Sequence, residues 1–280
     1  MRSIRRLGVM LPVIAAVSAC GGGSSSSDPP PTPPTNQSVG GIWTTQYTVT
    51  SGPNTGDTIK AAAIVTESGQ FYYSARNQNN GCADIGFGQA SVTGNSISGN
   101  LNGASVQYTT IAGVNTACTY PDGSTSATGT ISGTVSQRSS MTLTITATTS
   151  MGTALGSDTE TWTFSNIYDE ASSLATVAGN YTDGSDTLSI NSNGAIFEQD
   201  PTTGCVLNGQ ISVIDAQYNA YSVSVTFASC TGNAAAANGL TMTGLATLDQ
   251  TVSPAQLDFG ISASGSNGQY IVYIGVDPKQ

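Results

Sequence analysis

The sequence predicts an all-β protein: two tandem antiparallel β-barrel-like domains of about eight strands each, with paired β-sandwiches as the alternative. Three observations predict it. Apolar and polar residues alternate with a period of two along many short segments. The same landmarks recur in the same order in both halves. Charged residues make up only 9% of the 280-residue chain, and Gly, Ser, Thr, Asn and Ala dominate it. An ordinary soluble domain carries roughly 25% charge, so the surface here must be rich in hydroxyls and amides, as suits a secreted β protein.

The alternation is strict in Thr142-Leu143-Thr144-Ile145-Thr146, in Tyr221 to Phe227 and in Thr159 to Phe164. That period places every second side chain on one face of a strand. Asp122-Gly123, Asn193-Gly194 and Asp183-Gly184 punctuate the strands as turn signals. The one helical pattern, near Asp169 to Val177, predicts the link between two domains, 39–170 and 174–280. Consecutive short strands joined by turns favour an up-and-down barrel.

The landmarks of the repeat come in order. Gly41-Ile42-Trp43 corresponds to Gly179-Asn180-Tyr181, and the turn at Ser68-Gly69 to the one at Asn193-Gly194. Gly81-Cys82 corresponds to Gly204-Cys205, Cys118 to Cys230, and Gly133 to Gly244. The offset falls from 138 residues at Gly41/Gly179 to 123 at Cys82/Cys205 and 112 at Cys118/Cys230, so the first copy carries longer loops. Three pairings of these four cysteines are open by count alone. The repeat selects Cys82–Cys118 and Cys205–Cys230, with no Cys-x-x-Cys to suggest redox work. Each bridge would stabilise its domain by about 3.5 kcal/mol through the loop it closes. Gly41-x-Trp43 resembles the Gly-x-Trp of lipocalin-like first strands. The resemblance implies that Trp43, and Tyr181 in the second copy, plug one end of their barrels as barrel-end aromatics.

The amino end reads as an address. Arg2, Arg5 and Arg6 precede Leu7 to Val17, an apolar run of eleven residues. A membrane-spanning helix needs roughly 20, so residues 1–19 are expected to be a cleaved signal peptide. Val17-Ser18-Ala19-Cys20 resembles the lipobox of bacterial lipoproteins. The resemblance implies cleavage before Cys20 and lipidation there, palmitate included, with the chain held to a membrane through the lipid anchor. By the same resemblance, Gly21 after the cysteine implies the outer membrane. Residues 20–38 are expected to be a disordered tether. Its Gly/Ser run is flexible and its Pro29–Pro34 segment semi-rigid, with a reach of roughly 55 Å.

Charge and composition exclude whole classes of function. After the signal segment the chain holds 17 acidic residues against only Lys60, Arg76, Arg138 and Lys279, a net charge of −13. A surface this acidic does not neutralise phosphates, so no nucleic acid is expected. There is no histidine, which removes Ser-His-Asp and Cys-His nucleophilic machinery and His-based zinc sites. No cofactor or metal is predicted.

Two carboxylate pairs remain as candidates for chemistry: Asp158/Glu160 and Glu198/Asp200. On a strand, i,i+2 spacing puts both groups on one face about 7 Å apart, within the range used by inverting glycosidases. A solvated strand face explains such pairs more simply. The acidic turn Asp183-Gly184-Ser185-Asp186 lacks the spaced oxygen ligands of a calcium loop. Tyrosines at 72, 73, 218, 221, 270 and 273 read as core or as a binding patch. The expected function is a non-enzymatic cell-envelope lipoprotein that binds a small-molecule or protein partner. The alternatives are an inhibitor or immunity lipoprotein directed at a cationic hydrolase, and a carboxylate-dependent hydrolase.

Overall fold

Eight strands follow one another along the first half. They are β1 (Gly41–Thr48), β2 (Thr58–Val65), β3 (Gln70–Asn77), β4 (Cys82–Thr93), β5 (Ser96–Gln107), β6 (Ser126–Ser136), β7 (Ser140–Thr149) and β8 (Ala154–Ser165). Eight more follow in the second: β9 (Gly179–Tyr181), β10 (Leu188–Ile190), β11 (Ala195–Gln199), β12 (Val206–Val213), β13 (Tyr221–Ala228), β14 (Thr241–Asp249), β15 (Gln256–Ser264) and β16 (Tyr270–Pro278). This is a computed structural model, and it describes residues 35–50, 55–108, 118–182, 186–265 and 270–280, without the side chains of Asp158 and Asn233. The signal segment, Cys20, the tether through Pro34 and the turn at Asp183-Gly184-Ser185 lie outside the described residues.

Within each half, every strand pairs antiparallel with its successor, as short turns between alternating segments require. In the first half β8 returns to β1 through Ile42–Ser165, Trp43–Phe164 and Thr44–Thr163, which closes a barrel. The second half keeps the same order but forms a half-barrel sheet. Its strands β9 and β10 have only three residues each, against nine in β16. The first and last strands therefore meet at one bridge, Tyr181 to Lys279. Two backbone bonds flank it: Thr182 N–H to the Pro278 carbonyl (3.0 Å) and Gln280 N–H to the Asn180 carbonyl (2.8 Å).

The two halves match in detail. Trp43 Nε1–H donates to the Val39 carbonyl at 2.9 Å, and Tyr181 O–H donates to the Val177 carbonyl at 2.6 Å, each reaching back four residues. Both aromatics are fully buried and lie where the first and last strands of their half meet. Gly69 and Gly194 both take a left-handed φ, +86° and +84°. A side chain at either would strike the carbonyl of Ala90 or Ile211, on the residue whose N–H bonds to that same glycine's carbonyl at 2.8 Å. Only glycine meets both demands. The bridges match as well. Cys82, which opens β4, joins Cys118 in the β5–β6 connection, and Cys205, just ahead of β12, joins Cys230 in the β13–β14 connection.

Period-two alternation sends one face of each strand inward. Trp43, Phe71, Leu101, Ile131, Met141 and Trp162 fill the first barrel, and Tyr181, Ile190, Ile211, Val225, Met242 and Leu257 fill the second. A third apolar cluster joins them. Ile42, Ile64, Tyr72 and Ile85, on the outer face of the first barrel, pack with Ala220 and Leu245 of the second half.

The expected helix between the halves is reduced to two short turns, a 3-10 turn at Asn166–Asp169 and α1 at Leu174–Val177. The Ser173 side chain caps α1 by accepting from the Thr176 N–H at 3.0 Å. Four residues do not sustain a helix alone, so packing against the half-barrel holds it.

Candidate functional site

A groove of about 280 Å³ lies between the two halves. One wall is the outer face of the β2–β3 hairpin, where three cross-strand pairs stand in sequence: Lys60–Arg76, Ala62–Ser74 and Ile64–Tyr72. The other wall is the outer face of β14–β16, with Thr247, Asp258, Gly260, Ile274 and Val276. Lys60 and Ala62 are exposed, whereas Ile64 and Tyr72 are buried. The groove thus runs from a charged, open mouth to an apolar floor. At that floor a side chain on Gly260 would run into the Tyr72 ring, so glycine lets the two sheets approach.

The charges at the mouth are unequal. Lys60 and Arg76 face each other directly across the hairpin. Like charges so placed cost stability unless something neutralises them. No ion pair satisfies either among the described residues, where the ion pairs found all belong to Arg138. The Arg76 guanidinium lies 5.5 Å from the centre of the Tyr108 ring, and its Nε–H is buried without a hydrogen-bond acceptor. On the opposite wall, burial pushes Asp258 up to about 6; Arg76 opposes that rise and Asp249 adds to it.

Inside the barrels there is little room. The cavities of the first and second cores measure only about 30 and 20 Å³, against about 300 Å³ for a small ligand pocket. A polar cluster does sit within the first barrel wall. There burial pushes Asp84 up to about 6 despite hydrogen bonding from Ser105 and Tyr120. Tyr73 is held above the ordinary tyrosine range by burial and by the charges of Asp84 and Glu160. The Asp84 side chain is nonetheless exposed to solvent.

The residues singled out by sequence fall in several places. Trp43 and Tyr181 are core residues at the two strand seams. Glu160 faces Tyr73 inside the first barrel, and Glu198 borders the small cavity of the second. Asp200 does not share a strand face with Glu198, because β11 ends at Gln199. Its carboxylate instead accepts from the Thr202 N–H at 2.7 Å, from the Thr203 N–H and from the Thr203 hydroxyl, and this turn holds its pKa down. Of the tyrosines, Tyr72 lines the groove, Tyr221 donates to the Ser173 carbonyl at 3.3 Å, and Tyr270 donates to Asn102 at 2.8 Å. Tyr273 is partly exposed and packs against Phe227 and Phe259.

Sequence reasoning missed the groove. Lys60, Arg76 and Asp258 do not group by sequence, because the first two meet only through the hairpin register and the third is in the other half. One signal pointed toward them: two of only four basic residues beyond the signal segment flank the predicted turn at Ser68-Gly69, eight residues before Ser68 and seven after Gly69.

Fold and site together define a class: an all-β protein of two tandem barrel-like domains, joined face to face with a polar-mouthed groove between them. Comparisons with protein-family models, with curated proteins and with solved structures each find no match.

Proposed function

We propose that this chain is a non-enzymatic binding module of the cell envelope, carried on lipid at Cys20 and displayed on its tether, with the groove between its two halves as the ligand site. One observation carries the reading. A groove of about 280 Å³ between the domains brings charged groups over an apolar floor, while the cavities inside the two cores measure only about 30 and 20 Å³. Small-molecule sites favour such junctions. Two disulfides in a chain of this size fit an oxidising compartment.

Two experiments test it. Replacing Ala62 by Trp fills the groove from an exposed position. Binding of an environment-sensitive naphthyl fluorophore should fall at least tenfold in A62W while the far-ultraviolet spectrum stays unchanged; equal binding would remove the groove as the site. For the address, Cys20→Ala should move the protein from the membrane to the soluble fraction of the envelope. Retention of the variant in membranes would refute the lipid anchor.

The net charge of −13 beyond the signal segment favours a second reading, in which the protein masks a cationic hydrolase. Binding that weakens steeply with salt would support it. Its partner would engage the acidic exterior, and A62W would leave that binding intact.

A further inference from the structure

Building on the groove as ligand site, we infer that its ligand is a small organic anion: a carboxylate seated between Lys60 and Arg76, with an apolar body lying toward Ile64, Tyr72 and Ile274.

The argument starts from the accounting of positive charge. Only four basic side chains follow the signal segment. Arg138 is held by Glu67 and Asp169, each at 2.9 Å. Lys279 donates to the Thr176 carbonyl at 2.8 Å and lies over the Tyr181 ring at 5.8 Å. Both of these charges are committed to structure. The remaining two stand opposite each other at the mouth of this groove, without a carboxylate in ion-pair range among the described residues. Two like charges in register raise the free energy of the hairpin, and one bound anion removes that cost. The rest of the surface is acidic and repels anions, so affinity for one has to be local, and here it is.

The shape selects the rest of the ligand. Beyond the charged mouth the walls are Ile64, Tyr72 and Ile274, closing at Gly260. A volume of about 280 Å³ holds a one- or two-ring body and excludes a long acyl chain. Asp258 faces the basic pair from the other wall. It leaves the mouth with one net positive charge, which matches a monoanion and disfavours a dianion.

The test uses the purified full-length protein at pH 7.5 and three near-isosteric probes: 2-naphthoate, 2-naphthylmethanol and 2-naphthylmethylammonium. Titration calorimetry should find the carboxylate bound at least tenfold tighter than the alcohol, and the ammonium weakest. Lys60→Gln, at an exposed position where folding is not at risk, should bring the carboxylate close to the alcohol and leave the alcohol unchanged. Asp258→Asn should tighten the carboxylate several-fold. Equal binding of carboxylate and alcohol, or a preference that survives Lys60→Gln combined with Arg76→Gln, would overturn the anion assignment while the groove stands. Tightest binding of the ammonium would do the same. If no probe binds below millimolar concentration, the groove fails as a ligand site and the inference falls with it.

Discussion

Asp84 and Asp258 are held where a carboxylate's charge is costly. Both rise to about 6 through burial, from about 3.9 in an unfolded chain. The folded state therefore binds more protons than the unfolded one between those two values. Their contribution to stability is complete below about pH 4 and is lost as pH climbs through 6. Asp122 and Asp200 act in the opposite sense. Hydrogen bonds hold both below the ordinary value, chiefly from the Thr149 hydroxyl for Asp122 and from the Thr203 hydroxyl for Asp200, and what they contribute is lost as pH falls below it. Stability should thus peak near pH 4 to 5. The Asp84 side chain is exposed to solvent and Asp258 is half-buried, which weakens the effect. The net gain from pH 7 to pH 5 is about 1 kcal/mol, or a melting temperature about 3 °C higher. Asp84→Asn combined with Asp258→Asn should abolish that gain and raise stability at pH 7. A wild-type melting temperature that climbs from pH 5 to pH 7 would contradict it.

The secondary elements were the most legible part of the sequence, because each depends on a local rule. A period of two makes a strand wherever one face is buried, and Thr142 to Thr146, Thr159 to Phe164 and Tyr221 to Phe227 lie in strands. The paired cysteines were legible because the repeat fixes their partners. The groove was not, for two physical reasons. Its basic pair depends on hairpin register, and a slip of one residue would send Lys60 to the opposite face. Its second wall depends on how two finished domains pack, which periodicity does not encode. Asp200 was misplaced because its strand stops one residue earlier than the alternation suggests, so a turn claims its carboxylate. At this scale the weaker half is the second. Its end strands meet at one bridge, whereas β1 and β8 share three pairs. The Cys205–Cys230 staple ties the entry of β12 to the exit of β13 across 25 residues, worth about 3.5 kcal/mol by chain entropy. Replacing both cysteines by serine should lower the melting temperature by about 7 to 14 °C, read by calorimetry under oxidising conditions. A drop under 2 °C would mean that the strand ladder alone sets the stability of this half.

For the whole molecule, the groove exists only while the two halves stay docked, and Arg138 sits where they are fastened. It occupies the β6–β7 hairpin with a φ of +56°. Its guanidinium lies 5.2, 4.9 and 5.0 Å from the ring centres of Phe164, Tyr168 and Tyr218. The same group pairs with Glu67 and Asp169 and donates to the Gly40 carbonyl. Tyr218 belongs to the second half, so this one side chain ties the barrel, the connection and the half-barrel together. Asn219 continues the fastening. It donates to the Leu248 carbonyl at 2.7 Å and the Ile167 carbonyl at 3.2 Å, and accepts from the Leu248 N–H at 3.1 Å. With this junction intact the halves should unfold in one transition. Arg138→Gly separates the side chain from the backbone, because glycine takes a left-handed φ without strain and should by that effect alone stabilise the hairpin. Any destabilisation is then a lower limit on what the guanidinium contributes, and breaking a partly buried pair of this kind costs on the order of 2 to 3 kcal/mol. Arg138→Lys should restore little, since an ammonium lacks the planar fork that bridges two carboxylates and stacks on rings. Calorimetry of Arg138→Gly should show the half-barrel melting ahead of the barrel, with binding at the groove lost at the lower transition. A single transition at the wild-type midpoint would mean that the apolar cluster around Ile42, Tyr72 and Leu245 docks the halves unaided.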